Sequence, residues 1–269
     1  MQPDRRAWRA TRAAVIIDAA DYFCALHHAF QAARRDIWIL GWDTDPRIRL
    51  RRDAGDASDE TLGDLLIRLL ERNPNLRVHV LTWDFAMVYA TERDWTPLLG
   101  TSWPTHRRLH LEMDGCAPLA GSQHQKVVVV DDRIAFSGGI DLTKVRWDTS
   151  QHLPDDPRRI DPDGKPYPPF HDIQMCVEGE AAGALGHLVR ERWRRAGFEK
   201  VCHPAHATDY WPADLAAQFR NCPVEIDITY PRYGNHPAVT EVQESYCRQI
   251  AAARRWIYIE NQYLSSERI

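Results

Sequence analysis

The sequence lacks several features that would place it in a specialised class of protein. Its six cysteines are scattered without a CxxC pair, which favours a reduced intracellular protein over a disulfide scaffold or a zinc ribbon. The apolar run AAVII near the N-terminus is only five residues long before Asp18 interrupts it, so it is too short for a signal peptide. No segment approaches a membrane span. We therefore expect a cytoplasmic protein, with peripheral attachment to the inner face of the membrane as an additional option.

Positive charge is also scarce. The net charge is −4 and the isoelectric point is about 6.3. This balance argues against a basic protein that binds DNA without sequence preference, so we do not expect nucleic acid as a partner. A nuclease with only a local basic cleft stays open. Lysine is rare, with four residues, so each lysine is a candidate for a specific role.

Helical and strand periods alternate along the chain. Apolar residues at helical spacing between Asp18 and Arg35 predict a helix, and IWIL (Ile37 to Leu40) predicts a buried strand. The stretch HQKVVVVDDRIAFSGG predicts two strands joined by a tight Asp-Asp-Arg turn. DIQMCVEG and WIYI predict further strands, and EAAGALGHLVRERWRRAG predicts a long helix. The alternation predicts an α/β layered sandwich in which a mixed, largely buried sheet carries helices on both faces.

A short repeat suggests that part of the chain is duplicated. AARR ends a predicted helix at Ala32 to Arg35 and again at Ala252 to Arg255, and each copy runs into a β-rich stretch. Helix-to-strand transitions also resemble one another without duplication, so both interpretations stay open. On the first, residues 1–200 form one unit, 201–222 a connector, and 223–269 an incomplete second unit.

The strongest chemical signal is HQKVVVVD, which begins at His124. His124 and Lys126 are two positions apart where a strand begins, so both side chains leave the same face. Lysine supplies a compact positive charge for phosphate, and histidine can attack it or donate a proton. The alternative is a core histidine with a lysine at the rim. A chance HxKxxxxD is expected only about 0.02 times at this composition, which favours the functional interpretation.

Residues after the motif extend the predicted site. Gly138 and Gly139 allow the backbone to approach an anion closely, and Asp141 and Asp148 could orient an imidazole. Asp131 is the last residue of the motif and is counted with its catalytic residues. It lies an odd number of positions from His124, so we expect it to support the turn rather than contact phosphate.

HQKVVVVD matches the HxKxxxxD motif of the phospholipase D superfamily. AFSGGIDLTKVRWDTSQH resembles the segment after the first such motif in eukaryotic-type phospholipases D and their bacterial relatives, including enzymes similar to cardiolipin synthase. FHDIQMCVEG, with the helix ending in ERW, resembles the next block. WIYIENQYL is similar to the strand that opens the second half of these enzymes. The resemblance covers nearly the whole chain, with the motif region at about 118–148.

The resemblance implies a double-displacement mechanism. His124 would attack the phosphodiester and form a phosphohistidine, and Lys126 would bind the phosphate oxygens. Gly139 and Asp141 stand where the family has residues near the phosphate. Asp148 is the candidate to hold the second ring nitrogen of His124. The substrate would be a glycerophospholipid at a membrane surface.

Members of the family bring together two such motifs, one from each half or from each subunit of a homodimer. This sequence contains no second HxK, so it resembles a two-motif enzyme cut off early in its second half. We expect weak or no activity unless a second copy or a missing half completes the site. A superfamily nuclease working as a homodimer and a non-catalytic remnant are the alternatives.

Three more residues are candidates for the wall of the cleft. Asp43, Glu260 and Asn261 lie at the ends of the matched strands, although each could equally be structural. HExxH is absent, and the pair His27–His28 lacks neighbouring carboxylates or cysteines. The sequence therefore predicts neither a metal nor a cofactor.

Overall fold

The computed structural model describes residues 7–52, 59–84, 103–118, 121–199, 209–262 and 266. The helices within these ranges are α1 (Asp18–Ala32), α2 (Leu62–Arg72), α3 (Glu180–Arg195) and α4 (Glu241–Ala252). The strands are β1 (Ala7–Ile17), β2 (Asp36–Gly41), β3 (Arg77–Trp83), β4 (Leu109–Asp114), β5 (Val127–Val130), β6 (Ile134–Gly138), β7 (Ile173–Gly179), β8 (Phe219–Glu225), β9 (Thr229–Tyr230) and β10 (Val239–Thr240).

One mixed sheet of eight strands organises the fold. Its order is β4-β3-β2-β5-β6-β7-β1-β8. Strands β2, β3 and β4 are parallel, and the remaining neighbours are antiparallel. Helices α1 and α2 pack on one face and α3 packs on the other. The predicted α/β class, with a mixed buried sheet and helices on both faces, is confirmed.

Strand β5 lies in the middle of this sheet and is buried on both sides. Val128 and Val130 belong to the core beneath α1 and α2, and Val127 and Val129 belong to the core beneath α3. Alternation along a strand sends successive side chains to opposite faces, so four consecutive valines fill both cores. The chain just before Val127 is therefore held in a fixed position at the end of a central strand.

The tight turn predicted after β5 is confirmed. Asp131 and Asp132 have φ values of 52° and 55°, and the amide of Arg133 donates to the carbonyl of Val130 at 3.0 Å. Positive φ at both central residues is the geometry of a type I′ turn, and aspartate tolerates it better than bulky residues do. Because Val130 pairs with Ile134, the loop has three residues, Asp131 to Arg133.

Two parts of the sequence differ from expectation. Strand β1 was not predicted, although it runs the length of the sheet between β7 and β8. Strand β8 crosses the boundary predicted between 201–222 and 223–269, and it pairs with β1 in the eight-stranded sheet. Residues 201–208 of the predicted connector lie outside the described residues.

The strand predicted at Trp256–Ile259 is wrong for this structure. These residues form no ladder, and Trp256 and Tyr258 are 78% and 73% exposed. A strand is stable only when its backbone groups find partners, and none of the described strands pairs with this segment. No helix in the described part of the chain has the length and apolar character needed to cross a bilayer.

Candidate active site

The site is built around the residues that lead into β5. Lys126 is almost completely buried, and its Nζ lies 2.9 Å from Oδ2 of Asp141 and 3.1 Å from the backbone oxygen of His124. These contacts hold the ammonium group next to the histidine at the entrance of the strand. His124 itself is exposed, so a substrate can reach it.

Asp141 links this pair to the end of β2. Its Oδ1 accepts hydrogen bonds from the amides of Trp42 at 2.9 Å and Asp43 at 3.4 Å. The hydroxyl of Thr143 donates to Oδ2 of Asp43 at 2.7 Å. Asp43 therefore lies beside Asp141, and its carboxylate accepts a hydrogen bond from Thr143. Its place in the wall of a cleft stays a prediction.

The surroundings lower the pKa of His124. Removal of water by neighbouring protein atoms is the largest cause, and the positive charges of Lys126 and Arg146 act in the same direction. The carboxylates of Asp141 and Asp172 oppose this shift. A pKa below the ordinary 6.5 leaves the ring neutral at pH 7, the state in which a nitrogen can attack an electrophile.

Burial likewise lowers the pKa of Lys126, and Asp141 offsets part of the shift through its charge and its hydrogen bond. Arg146 also acts on this lysine. Its guanidinium donates to the carbonyl of Val145 at 3.2 Å and lies 5.1 Å from the ring centroid of Phe170. Sequence reasoning missed Arg146 as a second cation of the site, although it stands five residues after Asp141.

Asp172 is a second residue that sequence reasoning missed. A methyl group placed on Gly139 would lie 2.1 Å from Oδ2 of Asp172, so this carboxylate packs against the glycine where a side chain would otherwise be. It acts electrostatically on both His124 and Lys126. The available signal was its position as the polar residue immediately before strand β7, which begins at Ile173.

Asp148 does not hold the second nitrogen of His124, and that prediction is wrong. Its Oδ1 accepts hydrogen bonds from Arg159 Nη1 at 3.0 Å and from the Thr149 amide at 2.8 Å. Its Oδ2 lies 3.0 Å from Nδ1 of His152 and also accepts from the Phe170 amide at 3.0 Å. Asp148 is completely buried in the loop between β6 and β7, where it organises its neighbours.

The two glycines after β5 also have a different role from the one expected. The Gly138 amide lies 3.4 Å from the carbonyl of Lys126, and the Gly139 amide donates to the carbonyl of Ile173 at 3.1 Å. Their N–H groups face the sheet rather than an anion. A side chain at Gly138 would collide with Gln174, so both glycines permit β7 and its flanking residues to approach.

Asp131 lies at the far end of β5 from His124. Its carboxylate accepts hydrogen bonds from the amides of Arg34, Arg35 and Asp36 at 2.6 to 2.8 Å and from the hydroxyl of Tyr210 at 2.7 Å. Asp131 thus anchors the connection from α1 to β2. Its place among the catalytic residues is corrected to a structural one.

The two remaining candidates lie in the exposed segment after α4. Oε1 of Glu260 is 3.3 Å from Nε2 of His171, the neighbour of Asp172. Asn261 is exposed. The structure therefore brings Glu260 to the border of the site, and it gives Asn261 no defined role there.

Known proteins with similar sequences are phospholipases D. The chain is 27% identical over 209 residues to "Phospholipase D C" of Dictyostelium discoideum, covering 67% of this chain and 12% of the relative. It is 26% identical to "Phospholipase D alpha 2" of Oryza sativa subsp. japonica, covering 87% and 38%. The chain thus spans well under half the length of these relatives. No protein-family model matches it.

Solved structures show more distant similarity. Phosphatidylserine synthase of Haemophilus influenzae Rd KW20 superposes with a TM-score of 0.44 at 14% identity, covering 68% of this chain and 38% of that one. The phospholipase D family member Nuc of Salmonella typhimurium gives a TM-score of 0.39 at 14% identity, covering 68% and 95%. With the HxKxxxxD motif at the entrance of a central strand and similarity to phospholipases D at 26–27% identity, the chain resembles members of the phospholipase D superfamily.

Proposed function

We propose that this chain supplies the nucleophilic half of a phosphodiesterase or phosphatidyltransferase site that acts on glycerophospholipids. The observation that carries the proposal is the group formed by exposed His124, whose pKa is lowered by its surroundings, beside the buried pair Lys126–Asp141. An accessible neutral imidazole next to fixed positive charge is what attack on a phosphodiester requires. The resemblance of the chain to phospholipases D supports the choice of lipid.

In the proposed reaction a ring nitrogen of His124 attacks phosphorus, and the bond from phosphorus to the leaving alcohol breaks. The product is a phosphohistidine. Water or a second alcohol then attacks phosphorus, loses its proton, and restores the free imidazole. An acid must protonate the departing alcohol in the first step and accept the proton in the second.

Cations next to His124 would hold the phosphate oxygens. The Lys126 ammonium carries three hydrogens and has two acceptors, Asp141 and the backbone oxygen of His124. The third hydrogen can go to a phosphate oxygen without breaking either contact. Arg146 supplies a second positive charge. Asp172 replaces Asp148 as the carboxylate that acts on His124, because its negative charge stabilises the positive charge that develops on the imidazole during attack.

We propose that the proton donor comes from a second copy of the chain or from another partner. Four exposed apolar side chains support such an association: Ile17, Ile173, Met175 and Phe219. Ile17 pairs with Ile173 across β1 and β7, and Val15 and Ala13 pair with the other two, so all four lie on one sheet face. Exposure of such an apolar patch to water is unfavourable, so a partner that covers the patch stabilises the assembly.

The test is the formation of phosphatidylethanol from phosphatidylcholine or phosphatidylglycerol vesicles in dilute ethanol. We expect a slow signal from the wild type, none from His124→Ala, and an unchanged signal from His187→Ala, an exposed histidine on α3. Because general acid catalysis contributes about 10²–10⁴-fold, specific activity should fall on dilution if two copies share the site. Equal product from wild type and His124→Ala, or cleavage of DNA in place of lipid, would overturn the proposal.

A further inference from the structure

A second cluster of titratable side chains lies beside the proposed active site. Asp18, at the junction of β1 and α1, is completely buried, and the rings of His152 and His171 face its carboxylate from two sides. Suitable donor atoms of the three residues all lie within 4.8 Å of one another. The three residues come from separate parts of the sequence, so no local motif predicts the cluster.

The distances suit a metal ion. Nε2 of His152 lies 3.3 Å from Oδ2 of Asp18, and this buried oxygen has no hydrogen-bond partner. Two ligands bound tetrahedrally at about 2.0–2.1 Å from one zinc ion are about 3.3–3.4 Å apart. Nδ1 of His171 lies 2.7 Å from the other oxygen of the same carboxylate, at hydrogen-bonding distance, and a metal ion bound here would take the place of the proton between them. We propose that Asp18, His152 and His171 bind a divalent transition-metal ion of the zinc type.

The second nitrogen of each ring, the one that does not face Asp18, also has a carboxylate partner. Nδ1 of His152 is backed by Oδ2 of Asp148 at 3.0 Å, and Nε2 of His171 is backed by Oε1 of Glu260 at 3.3 Å. A histidine that binds a metal through one nitrogen almost always gives the other to a carboxylate, a carbonyl or water. Each ring here has one nitrogen turned to Asp18 and the other turned to a separate carboxylate.

The donor set selects the class of ion. Two imidazoles and one carboxylate suit zinc and its neighbours in the transition series, whereas magnesium and calcium prefer oxygen ligands throughout. Three protein ligands leave a fourth position for water or another donor. An ion here would join the β1–α1 junction to the loop before β7. It would thereby fix the backbone next to Asp172, which acts on His124.

The experiment measures metal binding without any substrate, so its outcome is independent of the proposed function. Purified chain, reduced with a phosphine rather than a thiol, is titrated with Zn²⁺ against a chromophoric chelator. His152→Gln and His171→Gln are compared with His187→Gln, which changes an exposed histidine on α3. We expect one equivalent to bind tightly to the wild type and to His187→Gln, with at least about a 10-fold loss in both cluster variants.

A second measurement guards against variants that fail to fold. X-ray absorption of the wild type loaded with Zn²⁺ should show nitrogen and oxygen ligands, two of them imidazoles. Sulfur ligands would assign the ion to cysteines and overturn the proposal. The proposal is also overturned if the wild type binds no Zn²⁺, or if folded His171→Gln binds it as tightly as the wild type does.

Discussion

Nζ of Lys126 lies 2.9 Å from Oδ2 of Asp141, and both side chains are almost fully buried. A buried ammonium and a buried carboxylate each require the other, because neither finds water to stabilise its charge. The same pair joins the entrance of β5 to the end of β2, because Asp141 also accepts hydrogen bonds from the amides of Trp42 and Asp43. One ion pair therefore connects the candidate site to two central strands of the sheet, β5 and β2.

Asp141→Asn should destabilise the fold by about 3–5 kcal/mol, because it leaves the buried Lys126 without its counter-charge. The matched control is Lys144→Ala. Nζ of Lys144 lies 3.6 Å from Asp163 in a partly exposed pair, so its loss should cost about 0–1 kcal/mol. Urea unfolding of both variants measures the difference, and equal losses would contradict the structural role of the buried pair.

The pKa of His124 should lie below 6.5 and should move in opposite directions in two variants. Lys126→Gln removes a positive charge and raises this pKa, whereas Asp172→Asn removes a negative charge and lowers it. Histidine NMR titration of the three proteins measures both shifts. An unshifted pKa in Asp172→Asn would remove Asp172 from the site.

The same lowered pKa has a consequence for stability. In the unfolded chain His124 takes up a proton near pH 6.5, while in the folded chain it stays neutral to a lower pH. The unfolded state therefore binds more protons in the window below 6.5, and the contribution of His124 to stability falls as pH drops through it. Urea midpoints across this window should fall less steeply for His124→Gln than for the wild type.

Asp131→Ala should cost at least about 3 kcal/mol of stability, because three backbone amides and a buried hydroxyl lose their acceptor together. Tyr210→Phe removes only one of these donors and should cost about 1 kcal/mol. Urea unfolding again gives the numbers. A loss below about 1 kcal/mol for Asp131→Ala would show that the amides find other acceptors.

Gly139→Ala should displace Asp172, since the added methyl group would lie 2.1 Å from its carboxylate. We expect a lower pKa for His124 and slower transfer of phosphatidyl groups, measured by the NMR and phosphatidylethanol assays. Gly183→Ala in α3 is the control. Its methyl group meets its nearest neighbour, the Asp132 carbonyl, at 3.8 Å, so it should be neutral or stabilise by up to about 1 kcal/mol. Equal behaviour of the two variants would contradict the close approach.

Local periods in the sequence were sufficient for a large part of the fold. The spacing of apolar residues predicted α1, and HQKVVVVDDRIAFSGG predicted two strands and the tight Asp-Asp-Arg turn between them. Each depends on neighbours a few positions apart, and backbone geometry repeats over that range. The pattern HxK likewise located the candidate site, because two residues at that spacing leave one face of a strand.

Contacts between segments that are distant in the sequence depend on the tertiary structure. Asp148 and Asp172 both follow the motif, and nothing local shows which carboxylate acts on His124. The path of the loop between β6 and β7 buries the first against His152 and Arg159 and brings the second onto Gly139. Asp18 meets His152 and His171 for the same reason, since β1 pairs with β7. The sequence by itself determined where the candidate site begins, at His124 and Lys126, because two residues at that spacing share one face of a strand. The order of strands in the sheet decided which distant side chains, Asp172 and Arg146 among them, meet this pair.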